Sequence, residues 1–205
     1  MAVSSTAPTQ LLLVRHGQSE WNALGRWQGQ ADPPLTNHGR VQAAQAGEKL
    51  GMFDAIASSP QQRALETATI LAQSIGVGPV LVDDDLRERG AGEWSGLTRV
   101  EIDSEWPGYL DEGRRPPAFE ADEPLLDRVT SALLRLGDRA RGGQVLVVCH
   151  GGVIGIVHYH HGERHRRIPN LGAQWVLAHS GQIQLGDEVE LIDPEPSVDS
   201  DDRRV

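Results

Sequence analysis

Two apolar runs in this chain end alike: Leu11–Val14 (LLLV) leads into Arg15-His16-Gly17, and Val145–Cys149 (VLVVC) leads into His150-Gly151-Gly152. Short apolar runs followed by glycine-rich residues and a helical pattern read as buried strands of a parallel sheet. In such sheets the ligand crevice lies beyond the carboxyl ends of the strands, so His16 and His150 can face each other across one site. Gly17 and Gly151 would then let a ligand approach backbone. A lone histidine after a strand is more often a structural hydrogen-bonding residue. A matched pair points to chemistry, because a neutral imidazole is a nucleophile near neutral pH.

Cations accompany the pair. Arg15 directly follows a buried strand, and Arg63 lies one turn into a helix that Ser59-Pro60 should open. The spacing predicts Ser59 as N-cap, Pro60 in the first helical position and Gln62 completing an S-x-x-Q capping box, with the helix running to about Ser74. A guanidinium near a helix N-terminus makes sense chiefly where an anion binds. Phosphate is the natural guest.

Arg15-His16-Gly17-Gln18-Ser19-Glu20-Trp21-Asn22 resembles the R-H-G-x-[ST]-x-x-N signature of the histidine phosphatase superfamily, in its phosphoglycerate-mutase-like branch. Leu35-Thr36 with Gly39, Ser59 through Arg63 to Thr67-Ala68, Leu86-Arg87-Glu88 through Gly92-Glu93-Trp94-Ser95-Gly96, and His150-Gly151-Gly152 continue the resemblance in order, over roughly Leu11 to Leu177. The resemblance implies a three-layer α/β/α sandwich around a mostly parallel sheet, with a partly helical cover segment over the site. It implies His16 as the nucleophile that becomes phosphorylated, Arg15, Arg63 and His150 gripping the phosphoryl group, and Glu88 as proton donor. Asn22 assists, with Gly17, Ser19 and Gly151 on the substrate side. Fixed cations around the equatorial oxygens stabilise phosphoryl transfer without a metal, so no metal site and no cofactor is expected beyond the covalent phosphohistidine at His16.

The carboxylate has rivals in Asp83, Asp84, Asp85 and Glu93. Glu88 is chosen because it follows Leu86 at the family's spacing, and its role asks for a pKa raised by burial or neighbours. The G-E-S step of many relatives is replaced by Phe119-Glu120-Ala121, counted eight back from Arg128, with Glu123-Pro124 as the other alignment. His158, His160, His161 and His165 invite a metal reading; the local run HYHHGERHRR reads better as an exposed basic segment. Trp21, Trp27, Trp94, Trp106 and Trp175 read as core or site wall.

The elements that must position these groups alternate β and α, hence a parallel sheet. Thr36 to Leu50 and Pro124 to Arg139 read as further helices, the second from the stripe Leu125, Val129, Leu133 and Leu136. One domain over residues 11–192 is expected, with a cover at about 97–123, a flexible N-terminal tail at 1–10 and an acidic flexible tail at 193–205. Net charge is 19 − 29 = −10 over 205 residues, which argues against nucleic acid or an anionic membrane as partner. The basic side is 18 Arg and one Lys, Lys49, which favours bidentate contacts to anions. One cysteine, Cys149, permits no internal disulfide. With neither a membrane-length apolar run nor a secretory signal at the start, a cytoplasmic location is expected.

Three functions fit: a metal-independent phosphomonoester hydrolase acting on a small phosphorylated metabolite, a phosphoglycerate mutase returning the phosphoryl group to its substrate, and a non-catalytic binding module. Only 61 residues separate Glu88 from His150, whereas family mutases resemble longer chains with a closing insert. A short cover admits water and favours the phosphatase. The intact constellation disfavours the binding module. A small phosphorylated substrate is the expected partner, and the sequence allows a homodimer.

Overall fold

The computed structural model describes residues 7–163 and 167–193. In chain order the elements are β1 (Thr9–Arg15), α1 (Glu20–Ala23), α2 (Asn37–Lys49), β2 (Ala55–Ser58), α3 (Gln62–Ile75), β3 (Leu81–Val82), α4 (Arg99–Glu105), α5 (Asp122–Ala140), β4 (Gln144–Cys149), α6 (Gly151–His160), β5 (Gly172–His179) and β6 (Gln182–Glu190). They build one six-stranded sheet in the order β3-β2-β4-β1-β5-β6. The first four strands of that order pair in parallel, while β5 and β6 run antiparallel to their neighbours.

The strand pleat explains the layers. Along β1, Leu11 and Leu13 join the core under α5 and α6, while Leu12 and Val14 join the core under α3; Val145, Val147 and Cys149 of β4 face the first core, and Leu146 and Val148 the second. Both strands are covered on each face, which is why they read as continuous apolar runs rather than alternating ones. Helix α5 contributes Leu125, Val129, Leu133 and Leu136 to the first core, as its stripe predicts. Helix α2 is capped by Thr36, whose hydroxyl accepts from Gly39 N, and α3 stops at Gly76 in the left-handed region.

Three expectations need correction. The first strand begins at Thr9, inside the segment expected to be a tail, because the buried Thr9 hydroxyl bridges Gly137 O and Gly142 N; residues 1–6 and 194–205 lie outside the described residues. Ser59 does not cap α3. Its hydroxyl is committed to His150 and to Gln61 N, the helix starts three residues later, and Asp32 accepts the N–H of Gln62 at 2.6 Å instead. The basic histidine segment is not uniformly exposed: His158 is buried and bonded to Gln174 at 2.9 Å, since α6 is apolar nearly all round and its last turn tucks against β5. His165 lies outside the described residues.

Residues between Glu88 and α5 form the cover. Trp94, Ile102 and Leu110 make a third core with Trp27, Trp106 and Phe119 packed on it, and the rings of Trp27 and Trp94 meet edge to face at 5.1 Å.

Candidate active site

Arg15 and Cys149 are register partners at the ends of β1 and β4, so the chain delivers His16 and His150 side by side. His16 N donates to Cys149 O at 3.1 Å, and the two imidazole rings meet at 5.2 Å with 64° between planes. Both are buried.

His16 Nδ1 lies 2.7 Å from Gly17 O. A carbonyl only accepts, so Nδ1 carries the proton and Nε2 keeps the lone pair. Arg63 Nε–H donates to that Nε2 at 3.1 Å, while its two terminal nitrogens donate to Ala31 O at 2.7 Å and Gly29 O at 3.0 Å. A fully buried guanidinium is thus held by backbone carbonyls and aimed at an imidazole. Burial, then the charges of Arg63 and Arg15, hold His16 well below the ordinary histidine value; burial followed by Arg63, His16 and Arg15 does the same to His150. Burial lowers Arg15 and Arg63 to about 10, which leaves both cationic at neutral pH.

Beside the histidines, two buried side-chain nitrogens have no hydrogen-bond partner among the described residues, Arg15 Nε and His150 Nδ1; elsewhere Trp94 Nε1 in the cover is in the same position. His150 Nε2 is held by Ser59 Oγ at 2.8 Å, and an Arg15 terminal nitrogen is tied to Ile168 O. Polar atoms left unpaired in a dry interior are costly unless a ligand completes them. Arg15, Arg63 and His150 bond to backbone carbonyls, to His16 and to Ser59 rather than to carboxylates, and together they describe a site for a small oxyanion.

A cavity of about 760 Å³ opens above, lined by Arg15, His16, Trp21, Asn22, Glu88, Gly151, Gly152 and Arg167 near the histidines, and by Leu110, Arg115 and Phe119 of the cover with Trp27 packed on it. Arg63 and His150 lie deeper, behind its wall. A smaller cavity of about 300 Å³ between Thr9 and Ala178 sits at the other end of β1 from the histidines.

Glu88 reaches the cavity from the loop before the cover. Its carboxylate accepts from Arg89 N at 2.7 Å and from Gly152 N, in the first turn of α6, at 3.2 Å. Glu93 is exposed and outside the wall, and Asp83 and Asp85 are bridged by Arg135. The structure therefore places Glu88, and none of its rivals, beside the histidines. Asn22 lines the cavity too, its oxygen occupied by Ser19 N and Asn170 Nδ2, which leaves its own amide N–H groups for a guest.

Gly17 and Ser19, like Arg63 and His150, do not line the cavity. The close approach at Gly17 is to Gly39, whose carbonyl oxygen would lie 2.5 Å from a Cβ built there. Ser19 is fully buried and caps α1, its hydroxyl donating to Gln28 Oε1 at 2.8 Å. Gly151 stays at the site, against Arg15 Nε.

Sequence reasoning missed several residues. Asn170 Nδ2 ties His16 O to Asn22, and Gln61 Oε1 accepts Glu88 N at 2.7 Å. Arg167 lines the cavity and its charge lowers Arg15 further. Asn170 and Arg167 come from a stretch without a motif. Gln61 lay inside the Ser59–Arg63 motif at a variable position. Glu120, eight residues before Arg128, pairs with it at 2.7 Å, whereas Glu123 is exposed in the first turn of α5. Among the described residues no group of three or more His, Cys, Asp or Glu side chains is arranged to hold a metal ion, and no helix is long and apolar enough to cross a membrane.

Residues 11–174 match the family model for the histidine phosphatase superfamily, branch 1. A phosphoglycerate mutase-like protein 4 of Arabidopsis thaliana is 39% identical over 155 residues, 71% of this chain and 67% of that protein. A metal-independent phosphoserine phosphatase of the same plant is 35% identical over 156 residues, 71% of this chain and 66% of that protein. Among solved structures, a mycobacterial glucosyl-3-phosphoglycerate phosphatase complexed with VO3 superimposes with a TM-score of 0.73 at 29% identity, covering 86% of this chain and 96% of that one.

Proposed function

The chain belongs to branch 1 of the histidine phosphatase superfamily, and from that premise we propose that it hydrolyses a phosphate monoester of a small metabolite through a phosphohistidine on His16 Nε2. The observation that carries this reading is the His16–Arg63 contact: Nδ1 holds its proton on Gly17 O, and the Nε2 lone pair faces a fixed cation.

In the first step the Nε2 lone pair attacks phosphorus and the P–O ester bond breaks. Arg63 Nε moves its hydrogen bond from Nε2 to a phosphoryl oxygen, and Arg15 Nε and His150 Nδ1, both buried without a partner among the described residues, take others, His150 in the tautomer whose Nε2 accepts from the Ser59 hydroxyl. The phosphorylated ring carries positive charge, which the Nδ1–H bond to Gly17 O supports. Glu88, as the carboxylic acid, gives its proton to the departing alkoxide. In the second step Glu88 takes a proton from the attacking water, the N–P bond breaks, and inorganic phosphate leaves with His16 neutral again. Lowered histidine pKa values keep the nucleophile unprotonated at neutral pH. Fixed cations neutralise the transferring group, so the reaction runs without metal or cofactor. A cytoplasmic location fits a small phosphorylated substrate and a single cysteine buried in β4.

Phosphate release is to be measured from a panel of phosphomonoesters, including 3-phosphoglycerate and an aryl phosphate, without added metal, with His16→Ala alongside. Release by the wild type that vanishes in a variant still unfolding cooperatively is the expected result. Normal release by His16→Ala would end the phosphohistidine mechanism, and interconversion of phosphoglycerate isomers without release would move the protein to mutase chemistry.

A further inference from the structure

Arg128 lies on the second turn of α5, outside the cavity, yet every N–H of its guanidinium has an acceptor around the loop that carries Glu88. Nε donates to Glu120 Oε1 at 2.7 Å; one terminal nitrogen donates to Asp85 O and Arg87 O, both at 2.7 Å; the other donates to Glu88 O at 3.1 Å and Glu120 Oε2 at 2.9 Å. Glu120 Oε2 in turn accepts Gly90 N at 2.8 Å. The pair is mostly shielded from water, with side chains 17% and 18% exposed. Burial alone would raise the Glu120 pKa, but hydrogen bonds from Arg128 and Gly90 N hold it below the ordinary value, so the carboxylate stays charged and the guanidinium stays paired. The bonds gather the backbone on both sides of Glu88, from Asp85 to Gly90, onto the N-terminal half of α5 and the end of the cover.

From this geometry we infer that the Arg128–Glu120 pair is the positioning device of the proton donor, fixing the loop so that the Glu88 carboxylate stands at the α6 N-terminus beside His16. The inference rests on the reading of Glu88 as proton donor. Neither Arg128 nor Glu120 acts on the reacting atoms; both act through Glu88. A surface ion pair of ordinary kind would contribute little, whereas a five-donor clamp on three backbone carbonyls and a carboxylate restricts the loop to one arrangement.

Leaving-group dependence separates positioning from simple stability. p-Nitrophenolate departs readily without protonation and an alkoxide does not, so loss of proton donation lowers kcat/KM for an alkyl phosphate selectively. Arg128→Gln, Arg128→Lys, Glu120→Gln, Glu88→Gln and the Arg128→Gln/Glu88→Gln double variant are to be compared on glycerol 3-phosphate and p-nitrophenyl phosphate. Arg128→Gln is expected to lower kcat/KM on the alkyl ester by about 100-fold and on the aryl ester by less than about 3-fold, and to add little in the Glu88→Gln background. Arg128→Lys and Glu120→Gln, which keep one side of the pair, should show the same selectivity at smaller size and carry the test if Arg128→Gln does not fold. Equal losses on both esters, or additive effects in the double variant, would overturn the positioning role while leaving the Glu88 reading intact. Equal losses in Glu88→Gln alone would overturn both.

Discussion

Arg63 donates its Nε hydrogen to Nε2 of His16 across 3.1 Å, so the nitrogen proposed to attack phosphorus is covered by a cation before any substrate arrives. Two features follow from one contact. The lone pair is kept free of a proton, and the guanidinium N–H stands within reach of an oxygen on the proposed phosphoryl group. Glycine and alanine carbonyls, Gly29 O and Ala31 O, hold the rest of the guanidinium, so its aim is set by backbone rather than by a rival carboxylate.

Replacing Arg63 by methionine should therefore change the imidazole as well as the rate. Burial is the first cause of the lowered His16 pKa and the Arg63 charge the second, so Arg63→Met should raise the His16 titration without restoring it fully to the free value. Turnover should fall by about 100-fold or more, as for loss of one fixed donor to a developing oxyanion. Proton NMR titration of the histidine ring signals beside kcat measurements checks both; an unmoved His16 titration would remove Arg63 from the electrostatics of the nucleophile.

The same two histidines should make stability depend on pH. Their folded-state pKa values are lowered, so above the unfolded value of about 6.5 both are neutral in either state and cost nothing. Below it the unfolded chain takes up protons that the folded chain refuses, and stability falls with pH until the folded values are reached. Each group contributes a slope of up to about 1.4 kcal/mol per pH unit. Urea unfolding of the wild type and His16→Asn at pH 7, 6 and 5.5 should give a shallower decline in the variant; parallel declines would mean that His16 protonates as freely folded as unfolded.

Strands β1 and β4 were legible because both faces of each are covered, which writes them as unbroken apolar runs ending at the two histidines. Strands β5 and β6 were not. In β6 only Ile183 is buried and the remainder is polar or half-covered, as befits the edge of a sheet, and such a segment resembles a solvated tail. At the site, His16, His150, Arg15, Arg63 and Glu88 carry motif spacing and come together. Asn170 and Arg167 act through contacts about 150 residues from the first motif, as in the bond from Asn170 to His16 O, and nothing local marks them. Ser59 was misread because a hydroxyl at the right distance before a helix has the same spelling whether it caps that helix or holds a histidine.

Glycines flanking the two histidines were read alike, and the structure separates them in a way that substitution can expose. A Cβ on Gly17 would lie 2.5 Å from Gly39 O, and Gly17 N is already bonded to Thr67 Oγ1 at 3.1 Å, so the backbone has little room to retreat. A Cβ on Gly151 would meet nothing closer than Arg15 Nε at 3.7 Å, an ordinary contact, but one beside a donor proposed to hold the phosphoryl group. Gly17→Ala should therefore lose about 1–3 kcal/mol of stability through overpacking. Gly151→Ala should change stability by less than about 1 kcal/mol, because alanine is at least as good a helix former, while KM rises as the methyl narrows the approach to Arg15. Urea unfolding and steady-state kinetics of both variants check the assignment. A stable Gly17→Ala would mean that α2 can yield to the added methyl, and an unstable Gly151→Ala with unchanged KM would return that glycine to the fold.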